Sequence, residues 1–325
     1  MKKISILLLA GLLLWACKQE NSPVEKTDTV LSDKLELSVN QDFKEYENLR
    51  VYWVEASDEF ISENAIAGDL EVLKTALNQP KFRVSEHKPF GRRDDAGAVN
   101  QLTVENKLPN DVFLMSGDVV QGGKQDRAIG EDQIIVANSI KNIPVFCVEQ
   151  GRWTYQEQYQ VSSGPGDRIA AFSGYYNVAS KGVRKSIQSG NQNAVWEQVA
   201  AVTASNEADS DSKAYAALEN STSFTTSREQ YLQELNREIT NSNAVGMIIV
   251  TGSEVLGVDV FGHPALFQKT YEALLHGYIT DVITNGKPLS IKDELIEVQV
   301  EKINRKIDGD KSLKYKGAII HYSDL

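Results

Sequence analysis

Apolar and polar positions follow two different rhythms along this chain, and the change falls near residue 180. Ahead of it, apolar residues come in short runs cut by tight turns. Residues 49–55, LRVYWVE, form the first run. Residues 112–115 are apolar, Ser116-Gly117-Asp118 turns them, Val119-Val120 resumes, Gly122-Gly123 breaks the run, and residues 133–137 form the next. Residues 143–148 are apolar at every position, which predicts a strand buried on both faces, and residues 168–178 predict another. One early stretch has the longer period. Leu70, Leu73 and Leu77 predict a short helix over residues 69–77, stopped by Asn78 and Pro80.

Beyond the change, residues 183–204 place Val183, Ile187, Val195, Val199 and Val202 on related helical faces, with Gly190 as a weak point. Residues 205–226 are polar and read as a surface insert with a helical patch at 213–219. Ser227-x-x-Gln230 is a capping box, so a helix is expected to start there and carry Tyr231, Leu235 and Ile239. AVGMIIV and EVLGVDVF flank Thr251-Gly252-Ser253 as a hairpin. Pro264 suits the first position of a long helix whose apolar face runs from Phe267 to Val282 and stops at Asn285-Gly286. Residues 295–302 and 315–321 read as two closing strands. With strands early and helices late, the class is α+β: a mixed or antiparallel sheet or sandwich core, several packed helices, and a late hairpin followed by a long helix.

The N-terminus changes the picture of where such a domain works. Lys2 and Lys3 precede the apolar residues 4–14, and Leu14-Trp15-Ala16-Cys17 ends the run. A small residue before a cysteine resembles a lipoprotein signal, with residues 1–16 removed and lipid on Cys17. The apolar run falls short of the roughly 20 residues a spanning helix needs. Residues 17–44 are then a polar tether and residues 45–325 a single domain carrying the insert. The expected location is the bacterial cell envelope, with the membrane as a partner through the lipid. A formal charge of −11 argues against nucleic acid, whose binding rests on phosphate neutralisation.

Chemistry is sparse. With Cys17 lipidated, Cys147 stands alone in an apolar strand and reads as a buried free thiol. His87, His263, His276 and His321 are scattered without ligand spacing, so no metal site is expected, and no motif calls for a cofactor. The richest polar constellation is Gly122, Gly123, Lys124, Gln125 and Arg127 in one turn, with Glu149, Gln150, Arg152 and Trp153 at a strand end. If turn and strand end meet, the glycines expose backbone amides and the cations suit a small anionic ligand. The structural alternative pairs Arg127 and Arg152 with Glu131 and Glu149. For acid/base work the candidates are Glu149, Asp259 and His263, the last reading more simply as a helix cap.

The motifs Gly122-Gly123-Lys124-Gln125-Asp126-Arg127, Ile143-Pro144-Val145 with Cys147 through Trp153, and Val258-Asp259-Val260-Phe261 before Pro264-Ala265-Leu266-Phe267 resemble the bacterial family of ARG and Rhodanese-Phosphatase-superfamily-associated proteins. The resemblance covers about residues 45–285, and the insert and the leader depart from it. It implies a domain of unknown function, associated with ADP-ribosylglycohydrolase-like and phosphatase-like proteins. Three functions are therefore expected in turn: a lipid-anchored domain binding a small phosphate- or nucleotide-like ligand or an envelope protein; a hydrolase of an ADP-ribose- or phosphate-containing substrate with Glu149 as base; or a structural envelope protein.

Overall fold

The computed structural model describes residues 35–37, 43–87, 99–152, 160–164, 167–208, 210–236 and 242–325. The leader, Cys17, most of the tether, the charged stretch 88–97 and Trp153 lie outside them.

The chain opens with β1 (Leu35–Leu37), β2 (Lys44–Tyr46), β3 (Leu49–Ala56), α1 (Asp58–Glu63), a 3-10 turn, β4 (Glu71–Val72) and α2 (Leu73–Ala76). The strand-rich middle holds β5 (Phe82–Glu86), β6 (Gln101–Asn106), β7 (Val112–Leu114), β8 (Asp118–Gly122), β9 (Arg127–Ile129), β10 (Gln133–Ile135), β11 (Ser139–Cys147), β12 (Gln160–Gly164) and β13 (Asp167–Val178). Then come α3 (Lys181–Gln188), α4 (Gln192–Ser205), α5 (Thr222–Leu235), β14 (Ala244–Thr251), β15 (Glu254–Phe261), α6 (Pro264–Asn285), α7 (Asp293–Lys306), β16 (Leu313–Tyr315) and β17 (Ala318–Asp324).

The fold class is α+β, built as an antiparallel sheet beside a closed barrel. The sheet runs β1-β3-β14-β15-β17-β16, with β2 also on β3. Its strands alternate, so one face packs Val51, Trp53, Met247 and Ile249 against α6, and the other packs Val54, Ile248 and Val258 against Ile296 and Ile303 of α7. The barrel closes in the order β13-β5-β6-β11-β9-β8, with β8 returning to β13. Val84, Val104, Val120, Ile129, Val145 and Phe172, one from each strand, fill its interior. Outward residues Val119 and Ala128 pack instead with α3 and α4. Closure leaves these six strands paired on both sides.

Several expectations are corrected. Residues 295–302 form the middle of α7, not a strand. IEVQV alternates over five positions, but Ile296, Ile303 and Ile307 bury at helical spacing across a longer window. The closing strand unit is the hairpin β16–β17, turning at Lys316 and Gly317 (φ 50° and 85°). The helix expected from Ser227 is capped six residues earlier, at Ser221. Ser221 accepts the N–H of Phe224 as its cap, because Phe224 anchors that first turn in the core. The polar insert is consequently no mere surface excursion, since Tyr215, Leu218 and Phe224 seal the α3–α4 layer. Residues 183–204 break into two helices at Gly190 (φ 71°). The helix expected over 69–77 shrinks to α2, its start given to β4. The sheet also begins ahead of residue 45, with β1 and β2 on β3.

Candidate functional site

Antiparallel pairing decides which side chains meet. The six barrel strands alternate in direction, so the ends of β5, β8 and β11 and the start of β9 share one mouth. Glu86, Gly122, Cys147 and Arg127 occupy those four positions. The turn after β8 needs its glycines: Gly123 has φ 52°, and a Cβ there would lie 2.5 Å from both Glu86 and the Phe172 ring.

Around that turn the polar groups close on one another. The N–H of Lys124 donates to Glu86 Oε1 (2.9 Å), and the N–H of Asp126 donates to Glu149 Oε2 (2.9 Å). Arg152 donates to both oxygens of Glu149 (2.6 and 2.9 Å), to Asp126 Oδ1 (3.1 Å), and to the carbonyls of Gly122 (3.2 Å) and Gly123 (2.8 Å). Gln125 donates to the Gln150 carbonyl (3.1 Å). Arg127, 1% exposed, donates to the Gln125 carbonyl (2.7 Å) and lies 3.7 Å from Glu86. Turn and strand end thus meet, and of the expected ligand-contacting residues Trp153 lies outside the described residues, as does the lipidation site Cys17.

The charge balance decides what this cluster can do. Three buried carboxylates, Glu86, Asp126 and Glu149, share the guanidiniums of Arg127 and Arg152. No guanidinium charge is left over to draw an anion. Burial and the charge of Glu149 push Asp126 up to about 6, against the pull of Arg152 and Arg127. Arg152 has the expected partner in Glu149. Arg127 turns to Glu86, while Glu131 accepts from Gln133 (2.6 Å) on the surface.

The acid/base candidates are equally committed. Glu149 is held by Arg152. His263 caps α6, its Nδ1 accepting the Ala265 N–H (3.1 Å), and burial holds it below its ordinary pKa. Asp259, on β15 of the sheet, is fully buried. Arg184 grips it with two donors (2.6 and 3.1 Å), the Tyr278 hydroxyl donates at 2.6 Å, and His321 Nε2 at 3.1 Å. The other His321 nitrogen reaches Asp132 Oδ2 at 2.6 Å, and the Ser116 N–H donates to Asp132 Oδ1 at 2.8 Å. With a carboxylate at each ring nitrogen, only the imidazolium satisfies both. Burial opposes that charge, but Asp132 and Asp259 overcome it and raise His321 to about 9. Arg184 and His321 likewise overcome the burial of Asp259 and hold it well below the ordinary carboxylate range.

Of this chain of charges the sequence offers only Asp259 as a site candidate, and His321 only as one of four scattered histidines. Arg184 carried a signal, a cation on the buried face of α3 between Val183 and Ile187. Asp132 and His321 carried none. Asp132 is 20% exposed and opens onto a groove of about 550 Å³ between barrel, α3 and the β16–β17 hairpin. Pro144, Phe146, Ile187, Gln188 and Ser323 line it. Among the described residues, no group of three or more His, Cys, Asp or Glu is placed to hold a metal ion.

The family model of the ARG and Rhodanese-Phosphatase-superfamily-associated Protein domain matches residues 37–317, and the chain belongs to that family. Comparison with curated proteins and with solved structures found no match.

Two outcomes follow from the clusters. Arg152→Ala strands Glu149 and Asp126 in a buried mouth, so urea unfolding is expected to show a loss of about 3–5 kcal/mol. A change under about 1 kcal/mol would instead mark Arg152 as dispensable to the fold. His321 has a folded pKa above its unfolded 6.5. Its stabilising contribution is therefore complete below about pH 6.5 and lost as the pH rises through about 9. Across that window His321 adds a falling slope of at most roughly 1.4 kcal/mol per pH unit, which His321→Gln removes. Equal slopes in the two proteins would contradict a protonated bridge.

Proposed function

We propose that this family member is a recognition domain of the bacterial cell envelope, held there by lipid on Cys17, and that it binds a small ligand in the groove beside Asp132. The observation that carries the reading is the contrast between two polar sites. At the barrel mouth, three carboxylates take up the charge of both guanidiniums, and of the arginine nitrogens there Arg127 Nε is the one buried without a hydrogen-bond partner among the described residues. At the groove, a carboxylate of fixed orientation faces an open space whose volume lies within the roughly 300–1,000 Å³ of small-molecule sites.

Recognition is favoured over turnover by the same bookkeeping of partners. Glu149 and Asp259 have both carboxylate oxygens engaged by structure, and His263 commits its Nδ1 to the cap of α6. An anionic ligand at the mouth would have to displace Glu149 or Asp126 from Arg152. For a buried ion pair that displacement strands a charge and is strongly unfavourable. The anchor is supported by Lys2 and Lys3, the apolar residues 4–14, and Ala16 before Cys17.

The test is a thermal-shift panel on the full chain in detergent, spanning nucleotides, ADP-ribose, sugars, amines and simple anions. A shift abolished by Gln188→Ala supports the groove, whereas shifts indifferent to Gln188 would overturn it. A hundredfold excess over Kd is worth roughly 2.7 kcal/mol, well within reach of the measurement. The anchor is tested separately: Cys17→Ala is expected to move the chain from the membrane to the soluble fraction, and unchanged membrane retention would contradict lipidation.

A further inference from the structure

We infer that the groove takes a neutral polyhydroxylated ligand, a saccharide or similar polyol, an inference that rests on the recognition reading above. Three features of the groove point to that chemistry.

The first is charge. Asp132 carries the groove's innermost charge, and that charge is already answered from behind. One oxygen faces His321 at 2.6 Å and the other accepts the Ser116 N–H at 2.8 Å. The imidazolium behind it, shared with Asp259 and in turn with Arg184, leaves the chain of four groups balanced. The remaining charges at the rim, Glu131, Asp310 and Lys311, are solvent-exposed, where water and salt screen them. Neither a strong anion nor a strong cation finds an uncompensated buried partner.

The second is hydrogen bonding. A carboxylate oxygen can accept more than one bond, so each Asp132 oxygen keeps acceptor capacity toward the groove. Beside it, Gln188 Nε2 sits 3.5 Å from Ser323 Oγ, at the outer limit of a hydrogen bond. That amide and that hydroxyl are loosely held, and both can turn to a ligand hydroxyl. A fixed acceptor next to an adaptable donor–acceptor pair matches adjacent hydroxyls, each of which donates one bond and accepts others.

The third is the apolar wall. Ile143 and Val145 face the barrel interior, so the period of two turns Pro144 and Phe146 outward, where both line the groove with Ile187. A pyranose ring presents the complementary pair of surfaces, a C–H face for this wall and a rim of hydroxyls for Asp132, Gln188 and Ser323.

The deciding experiment is calorimetric titration of the full chain in detergent with maltotriose, cellotriose, mannotriose and chitotriose. Spermidine, inorganic phosphate and ADP-ribose serve as the charged arms. At least one trisaccharide is expected to bind, and the double variant Gln188→Ala/Ser323→Ala to weaken it by about tenfold or more. Phe146→Leu keeps apolar bulk but removes the ring, and is expected to weaken the same sugar. Gln188 lies exposed at the end of α3, so Gln188→Ala alone carries the test should Phe146→Leu fail to fold. Binding of spermidine, phosphate or ADP-ribose, lost in the Gln188 variants while no sugar binds, would overturn the saccharide class and leave the recognition groove standing. Sugar binding unchanged in every groove variant would overturn the site. Silence from all seven compounds would overturn both readings.

Discussion

The fold turns on Asp259, a carboxylate with no exposure to water. An isolated charge in such a place is prohibitive, and a buried pair that loses one member is destabilised by about 3–5 kcal/mol. The partners must therefore arrive together, and they come from separate parts of the chain. Arg184 arrives on α3, which lies against the barrel. Tyr278 comes from α6, and His321 from the neighbouring strand β17. Through His321 the chain reaches Asp132, on the connection between β9 and β10. One buried anion thus ties the barrel's outer helix, the sheet, its covering helix and a barrel loop to a single geometry. The glycines around it serve the same fit: a Cβ on Gly257 would lie 2.4 Å from the Tyr278 hydroxyl, and one on Gly117 2.7 Å from the Arg184 side chain.

The mouth cluster solves a smaller problem by the same means. The turn after β8 and the segment after β11 are irregular, and their buried backbone groups lack a ladder to join. Arg152 supplies donors to two carbonyls of the turn, while Glu149 accepts an N–H from it. The planar guanidinium serves carboxylates and carbonyls from three separate nitrogens, a spread that the single nitrogen of a lysine does not offer. The arginines concentrated in sequence are thus internal fasteners in space, whereas Asp132, on the connection after β9, is both anchored and partly accessible.

How much of this is legible in the sequence depends on how local each feature is. The β14–β15 hairpin follows from Thr251-Gly252-Ser253 between two apolar runs, and α6 from Pro264 at one end and Gly286 at the other. The meeting of Gly122–Arg127 with Glu149–Arg152 shows as two polar clusters at strand ends. The insert hides its role because Tyr215, Leu218 and Phe224 are spaced out among polar residues. Helix α7 hides behind a five-residue alternation. Barrel closure joins β8 to β13 across about fifty residues, and nothing local marks such a pairing. The chain from Asp132 to His321 is the extreme case. Its members are scattered over nearly two hundred positions, and each alone reads as an ordinary surface charge or packing residue.

The junction between barrel and sheet rests on the charge of His321. Selective nitrogen-15 labelling of the histidines, with His321 assigned by its disappearance in His321→Gln, reports the protonation of both ring nitrogens directly. Bridged by two carboxylates, His321 is expected to remain an imidazolium at pH 7.5 and to titrate only near pH 9. A neutral ring at pH 7.5, titrating near the ordinary 6.5, would mean that Asp132 and Asp259 are not bridged by a positive charge, and the proposed junction between barrel and sheet would fall with it.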